Sequence, residues 1–163
     1  KFMKNIFLSR PTSIDEKYKP GLDGFIRFLQ GKEISPRTLG TTDYPTNAPM
    51  DEVITLLKKC EGAIVLGYPQ IVVQTGLIKG NPIEDTITLG TEWNHIEAAL
   101  AYSLHLPLLV IYDSSVSRGI FDCGTLNSFL YSTNFENPAW FVETDIAGAV
   151  NTWVERLPKR LFI

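Results

Sequence analysis

Apolar and polar positions fall into short blocks along this chain, and the blocks follow two periods. Asn5-Ile6-Phe7-Leu8 is a nearly continuous apolar run closed by Ser9-Arg10-Pro11, and it reads as a first, central strand. Residues 21–31 place Leu22, Phe25, Ile26 and Leu29 on one helix face. Residues 34–39 form a weaker strand candidate broken by Pro36, and 41–49 is a polar loop. A second amphipathic helix runs over 50–60 through Met50, Val53, Ile54 and Leu57. Asp51 and Glu52 stand in its first turn, where the helix dipole favours acids. Ala63-Ile64-Val65-Leu66 reads as a buried strand ending at Gly67-Tyr68-Pro69. Residues 70–90 are rich in Gly, Thr and Pro, with an apolar stretch at Ile71-Val72-Val73. A connection of that length implies a lid, a hairpin or a functional loop. A helix follows from Thr91 to about Leu106 and stops at Pro107. Leu108-Leu109-Val110-Ile111-Tyr112 is the fourth strand, 113–119 a loop, and 125–131 a short helix. Ala139-Trp140-Phe141-Val142 is the fifth strand. Ile146, Ala149, Val150, Trp153 and Leu157 mark a last helix.

This alternation of strand and helix predicts an α/β fold with a parallel sheet covered on both faces. Five strands fit a flavodoxin-like three-layer sandwich of order 2-1-3-4-5, which binds ligands at the carboxyl ends of its strands. That edge carries Ser9-Arg10, the loop 41–47, Gly67-Tyr68, the start of the 91–106 helix and Asp113-Ser114. No internal repeat or linker interrupts the pattern, so residues 1–163 are expected to form one domain.

Composition narrows the partners. The chain is 44% hydrophobic and 20% charged, enough apolar material for a full core. A net charge of −3 argues against nucleic acid, which favours basic surfaces. No apolar run approaches the roughly 20 residues that span a bilayer, so no membrane partner is expected. The first apolar run ends by Leu8 and is too short for a signal peptide. Met3 reads as the native start behind Lys1 and Phe2. Cys60 and Cys123 have no metal-type spacing and do not suggest a disulfide scaffold, so a reduced, cytoplasmic setting is expected.

The most telling helix is Thr91-Glu92-Trp93-Asn94-His95-Ile96-Glu97-Ala98-Ala99-Leu100-Ala101-Tyr102. Glu97 lies inside its apolar run, past the first turn where the dipole would favour an acid. Trp93, four residues earlier, shares its face. A buried carboxylate needs a partner or a task, because removing water from it costs several kcal/mol or raises its pKa.

Several uses of this fold can be set aside. There is no G-x-G-x-x-G, no G-x-x-x-x-G-K-[ST] and no G-x-S-x-G, and the first loop lacks the glycines of a flavin cradle. A phospho-receiver would place acids where Ser9-Arg10 and Gly67-Tyr68 stand. His95 and His105 lack a second ligand pair for zinc, so no metal site is expected. One acid among aromatics and hydroxyls suits cleavage of an N-glycosidic bond. A carboxylate near the anomeric carbon stabilises the oxocarbenium-like transition state or traps it as an ester. Phe7, Tyr68 and Trp93 are candidate walls for the leaving base.

The helix at 50–60, then C-x-x-A-I-V-L, then W-x-x-x-E, then A-A-x-A-x-x-x-x-x-P-L-L-V-I, resembles the TIR domain superfamily and the related nucleoside 2-deoxyribosyltransferases. The resemblance runs from Asn5 to about Leu157. It implies that Trp93 and Glu97 occupy the tryptophan and catalytic-glutamate positions of TIR domains that cleave NAD. Read against the deoxyribosyltransferases, it makes Glu97 the nucleophile. It thus implies an NAD glycohydrolase or cyclase, with NAD as substrate rather than cofactor, in a signalling or defence setting. The alternatives are a nucleoside or nucleotide transferase or N-glycosidase, and a non-catalytic self-association module. Either TIR-type reading implies a homo-oligomer. Arg10-Pro11 departs from both families, the long 70–90 segment departs from the TIR pattern, and 119–124 has no counterpart in either family.

The site expected from the sequence is therefore Glu97 as catalytic residue, with Phe7, Ser9, Arg10, Asp43, Tyr68 and Trp93 binding substrate. Arg10 suits a phosphate, which its guanidinium can grip bidentately. Asp43 and Tyr44 sit in the loop after the second strand, where a plain turn is the competing reading. Glu92 is explained by the helix dipole, Asn94 and His95 by supporting or solvated roles, Asp122 by a turn, and Trp140 and Trp153 by core packing.

Overall fold

The computed structural model of the chain describes residues 2–122, 125–126 and 129–159. Five parallel strands form the central sheet: β1 (Lys4–Ser9), β2 (Ile34–Arg37), β3 (Ala63–Gly67), β8 (Leu108–Asp113) and β9 (Phe129–Thr133). Their order is β2-β1-β3-β8-β9, which is 2-1-3-4-5 when the sheet strands alone are counted. The helices are α1 (Lys19–Gly31), α2 (Pro49–Lys58), α3 (Glu92–Ser103) and α4 (Thr144–Glu155). The fold is the flavodoxin-like α/β sandwich.

Strand alternation divides the core into two layers. Ile6 and Leu8, Ile64 and Leu66, and Leu109 and Ile111 turn toward the side of Phe25, Leu29, Val150 and Trp153 from α1 and α4. Phe7, Ala63, Val65, Leu108 and Val110 turn the other way, onto Val53 and Leu57 of α2 and Ala98 and Ala101 of α3. Ser9, two residues beyond Phe7, points to this second face by the same alternation, and α3 lies there.

Pro36 is tolerated because β2 is an edge strand, where its missing N–H breaks no ladder. The 70–90 connection folds as two antiparallel ribbons. β4 (Ile71–Val73) pairs with β7 (Ile87–Leu89), and inside them β5 (Leu77–Ile78) pairs with β6 (Asn81–Pro82).

Two expected elements are corrected. The fifth sheet strand is β9, not 139–142, and 129–133 is not helical. Residues 140–142 form a single 3-10 turn that drives Trp140 into the core, against Phe25 and Phe135 at centroid distances of 4.8 and 4.9 Å. A four-residue apolar run carries no period, so the pull of one large aromatic into the core decides its conformation. Residues 127 and 128 of the expected 125–131 helix, and Cys123 and Gly124, lie outside the described residues. No described helix is long and apolar enough to cross a membrane.

Candidate active site at the strand ends

Thr91 starts α3 at the carboxyl edge of the sheet. Its side chain accepts the Trp93 backbone N–H at 3.4 Å, an N-cap that satisfies one of the helix's free donors. From that start the buried face of α3 is Asn94, Glu97, Ala98 and Ala101. The alanines let the helix approach the sheet closely. The two polar residues fall at the end of the stripe nearest the strand termini.

Glu97 and Asn94 meet Ser9 at the end of β1. The Ser9 Oγ–H donates to Glu97 Oε1 at 2.8 Å, and the Asn94 amide donates to Ser9 Oγ at 2.9 Å. Asn94 is fully buried, Ser9 is 1% exposed and Glu97 7%. Because Asn94 occupies an acceptor position on the serine oxygen, the one hydroxyl proton is directed at Glu97. Glu97 Oε2 accepts no hydrogen bond from the described residues. Burial pushes the Glu97 carboxyl up to about 7, opposed only by the weaker effect of the Ser9 hydrogen bond.

Glu97 borders a cleft of about 190 Å³. Trp93 stands beside it on α3, Arg10 closes the β1 end, Thr38 and Leu39 line the β2 end, and Val53 rises from α2. Thr38 is held by its hydroxyl donating to the Leu8 carbonyl at 2.9 Å. Trp93 is 42% exposed, so an aromatic face is available at the mouth. Among the described residues the Arg10 guanidinium hydrogen-bonds only the Pro11 carbonyl, at 3.3 Å, and its buried Nε has no hydrogen-bond partner.

Ser9, Trp93 and Glu97 are thus brought together, and Arg10 borders the same cleft while interacting electrostatically with Tyr68 and Asp23. Phe7, Asp43 and Tyr68 do not line the cleft. Phe7 is 1% exposed and packs in the α2–α3 layer beneath the cleft. Tyr68 follows Gly67 and so turns to the opposite face, where its ring stacks on Phe135 at 4.2 Å and meets Tyr18 at 5.5 Å. Asp43 forms a two-point ion pair with Arg37, whose Nε donates to Oδ2 at 2.8 Å and whose Nη2 donates to Oδ1. That pair lowers the Asp43 pKa and fastens the loop after β2, while Tyr44 stays exposed.

The remaining polar candidates support the frame. His95 Nδ1 accepts the Ile120 N–H at 3.3 Å, and Asp122 accepts the Arg118 N–H at 2.9 Å. Asp113 accepts from Ser115 and from the Phe135 N–H. Sequence reading undervalued Asn94, although it stands one turn before Glu97 on the same face, and it missed Thr38, which no spacing marks. A larger hollow, about 400 Å³, opens within the 70–90 ribbons. Its lining is mainly aliphatic, with Lys79 and Arg118 and no acid, so the acid chemistry resides at the strand ends.

The fold and this edge define a flavodoxin-like α/β domain with two buried carboxylates, Glu97 and Asp113, at its ligand-binding end, of which Glu97 borders the cleft. No protein-family model matches the chain, and no curated protein matches it.

Proposed function

We propose that this domain cleaves the N-glycosidic bond between nicotinamide and ribose in NAD, with Glu97 acting at the ribose C1′. The observation that carries this reading is the placement of Glu97. One oxygen is held from the buried side by Ser9, and the carboxylate borders a cleft walled by Trp93.

The chemistry asks little else of the site. As the C1′–N bond breaks, its electron pair moves to the pyridinium nitrogen, and nicotinamide leaves neutral without taking a proton. A single carboxylate therefore suffices. It stabilises the positive charge developing on C1′ and O4′, or forms an ester with C1′. Water then adds at C1′ to give ADP-ribose, with Glu97 accepting its proton, or a nitrogen of the adenine adds and the product is cyclic. A neutral purine nucleoside would need an acid to protonate its leaving base. Among the residues lining the cleft Glu97 alone is an acid, which favours a substrate with a cationic leaving group.

The test is nicotinamide release from NAD, followed by chromatography over a series of protein concentrations, beside Glu97→Ala. Release that rises faster than linearly with concentration would support assembly into a homo-oligomer. Equal release from both proteins would remove Glu97 from the chemistry. The sister reaction shares the ester step at Glu97. Turnover of deoxynucleosides without turnover of NAD would reassign the site to deoxyribosyl transfer.

A further inference from the structure

Arg10 lines the Glu97 cleft and also a neighbouring hollow of about 290 Å³ that holds Thr12, Ser13, Lys19 and the acids Glu16 and Asp23. It adjoins Ser9 in sequence, the residue bonded to Glu97. The other cation of the hollow, Lys19, is taken up by Glu16 at 2.7 Å. Arg10 makes no ion pair among the described residues. Its buried Nε has no hydrogen-bond partner among the described residues, and Tyr68 and then Asp23 act on it through space. Burial lowers its pKa, and the opposing effects of Tyr68 and Asp23 do not offset it. A half-buried guanidinium with free donors carries an unfavourable desolvation that an anion would relieve.

We propose that Arg10 binds the 5′-phosphate of the ribose whose C1′ lies at Glu97, so that the site accepts nucleotides and discriminates against the corresponding nucleosides. This rests on the reading of Glu97 as the group acting at C1′. The anomeric carbon and the 5′ oxygen lie at opposite ends of a ribose. A ring set between Glu97 and Arg10 therefore presents one end to each. Trp93 borders the leaving group, and the second hollow continues past Arg10 for whatever the phosphate carries. In NAD that is a second phosphate and adenosine. Thr12 and Ser13 offer hydroxyls there, whereas Thr38 and Leu39 bound the sugar compartment. Arg10 is in this sense a specificity-determining residue.

The matched substrates are nicotinamide mononucleotide and nicotinamide riboside, which share the scissile bond and differ by the phosphate. The wild-type protein should favour the mononucleotide by roughly 10- to 100-fold in kcat/KM, the range of a charge-assisted phosphate contact. Arg10→Met should reduce that preference to within about threefold. Equal kcat/KM for the two substrates in the wild type, or a preference retained in Arg10→Met, would overturn the proposal. If neither compound is cleaved, the glycosidase reading fails by itself, and calorimetric titration with ADP-ribose then tests the phosphate site separately. Binding to the wild type that weakens at least tenfold in a folded Arg10→Met protein supports it. Equal binding, or none, refutes it.

Discussion

Glu97→Gln should make the domain more stable at alkaline pH and leave its stability below pH 4.5 nearly unchanged. In the folded chain the Glu97 carboxyl titrates at about 7, against 4.5 for a free glutamate. Between those values the folded protein holds a proton that the unfolded chain has lost. Stability therefore falls as pH rises through this window and levels off above about 7. The interval from 4.5 to about 7, at about 1.36 kcal/mol per pH unit, gives roughly 3 kcal/mol of destabilisation when Glu97 is fully ionised. Glutamine keeps an oxygen to accept the Ser9 hydrogen bond and removes the charge. Urea unfolding of both proteins at pH 5 and pH 8 would measure the effect. The difference between the two should be about 1 kcal/mol at pH 5 and on the order of 3 kcal/mol at pH 8, in favour of the variant at both. Other titrating groups are common to both chains and cancel. A pH-independent difference, or a variant less stable at pH 8, would show that Glu97 is ionised at little cost and is better compensated than its surroundings indicate.

Three further outcomes follow from neighbouring contacts. Ser9→Ala removes the hydrogen bond that lowers the Glu97 pKa and leaves the Asn94 amide without its acceptor. The midpoint of the pH profile of nicotinamide release should move upward from about 7, with a stability loss of about 1–3 kcal/mol by urea titration. Gly67→Ala places a carbon 2.5 Å from the Phe121 ring and 2.8 Å from Tyr112 Cβ, so thermal melting should show a loss of about 1–3 kcal/mol. Tyr68→Phe removes a buried hydroxyl with no partner among the described residues, and its unfolding free energy should equal or exceed the wild-type value.

Much of this architecture was legible because the strands β3 and β8 are continuous apolar runs and the helices carry a clear 3.6-residue period. Glu97 was visible for a related reason, since a charge inside an apolar stripe has no propensity to explain it. The misplaced fifth strand shows where that reasoning stops. Phe129-Leu130-Tyr131-Ser132-Thr133 has strand chemistry, but Ala139-Trp140-Phe141-Val142 looks more apolar, and only the fit of Trp140 among Phe25 and Phe135 separates them. The expected site residues divide in a similar way. Ser9 ends β1 and Tyr68 follows β3 at the ligand edge, yet they lie on opposite faces, with Ser9 toward α3 and Tyr68 toward α1. One residue of strand phase decides which reaches Glu97. Asp43 depends on a partner, Arg37, that no local spacing singles out.

The most direct measurement compares nicotinamide release from NAD by the wild-type protein and by Glu97→Gln at pH 8, both at concentrations high enough for assembly. The variant should be the more stable of the two, so loss of activity cannot be ascribed to unfolding. The expected result is release by the wild type and a decrease in the variant of roughly 10²- to 10⁴-fold. Release at the same rate from both proteins, or no release from the wild type at any concentration, would contradict the assignment of Glu97 to cleavage of the nicotinamide–ribose bond.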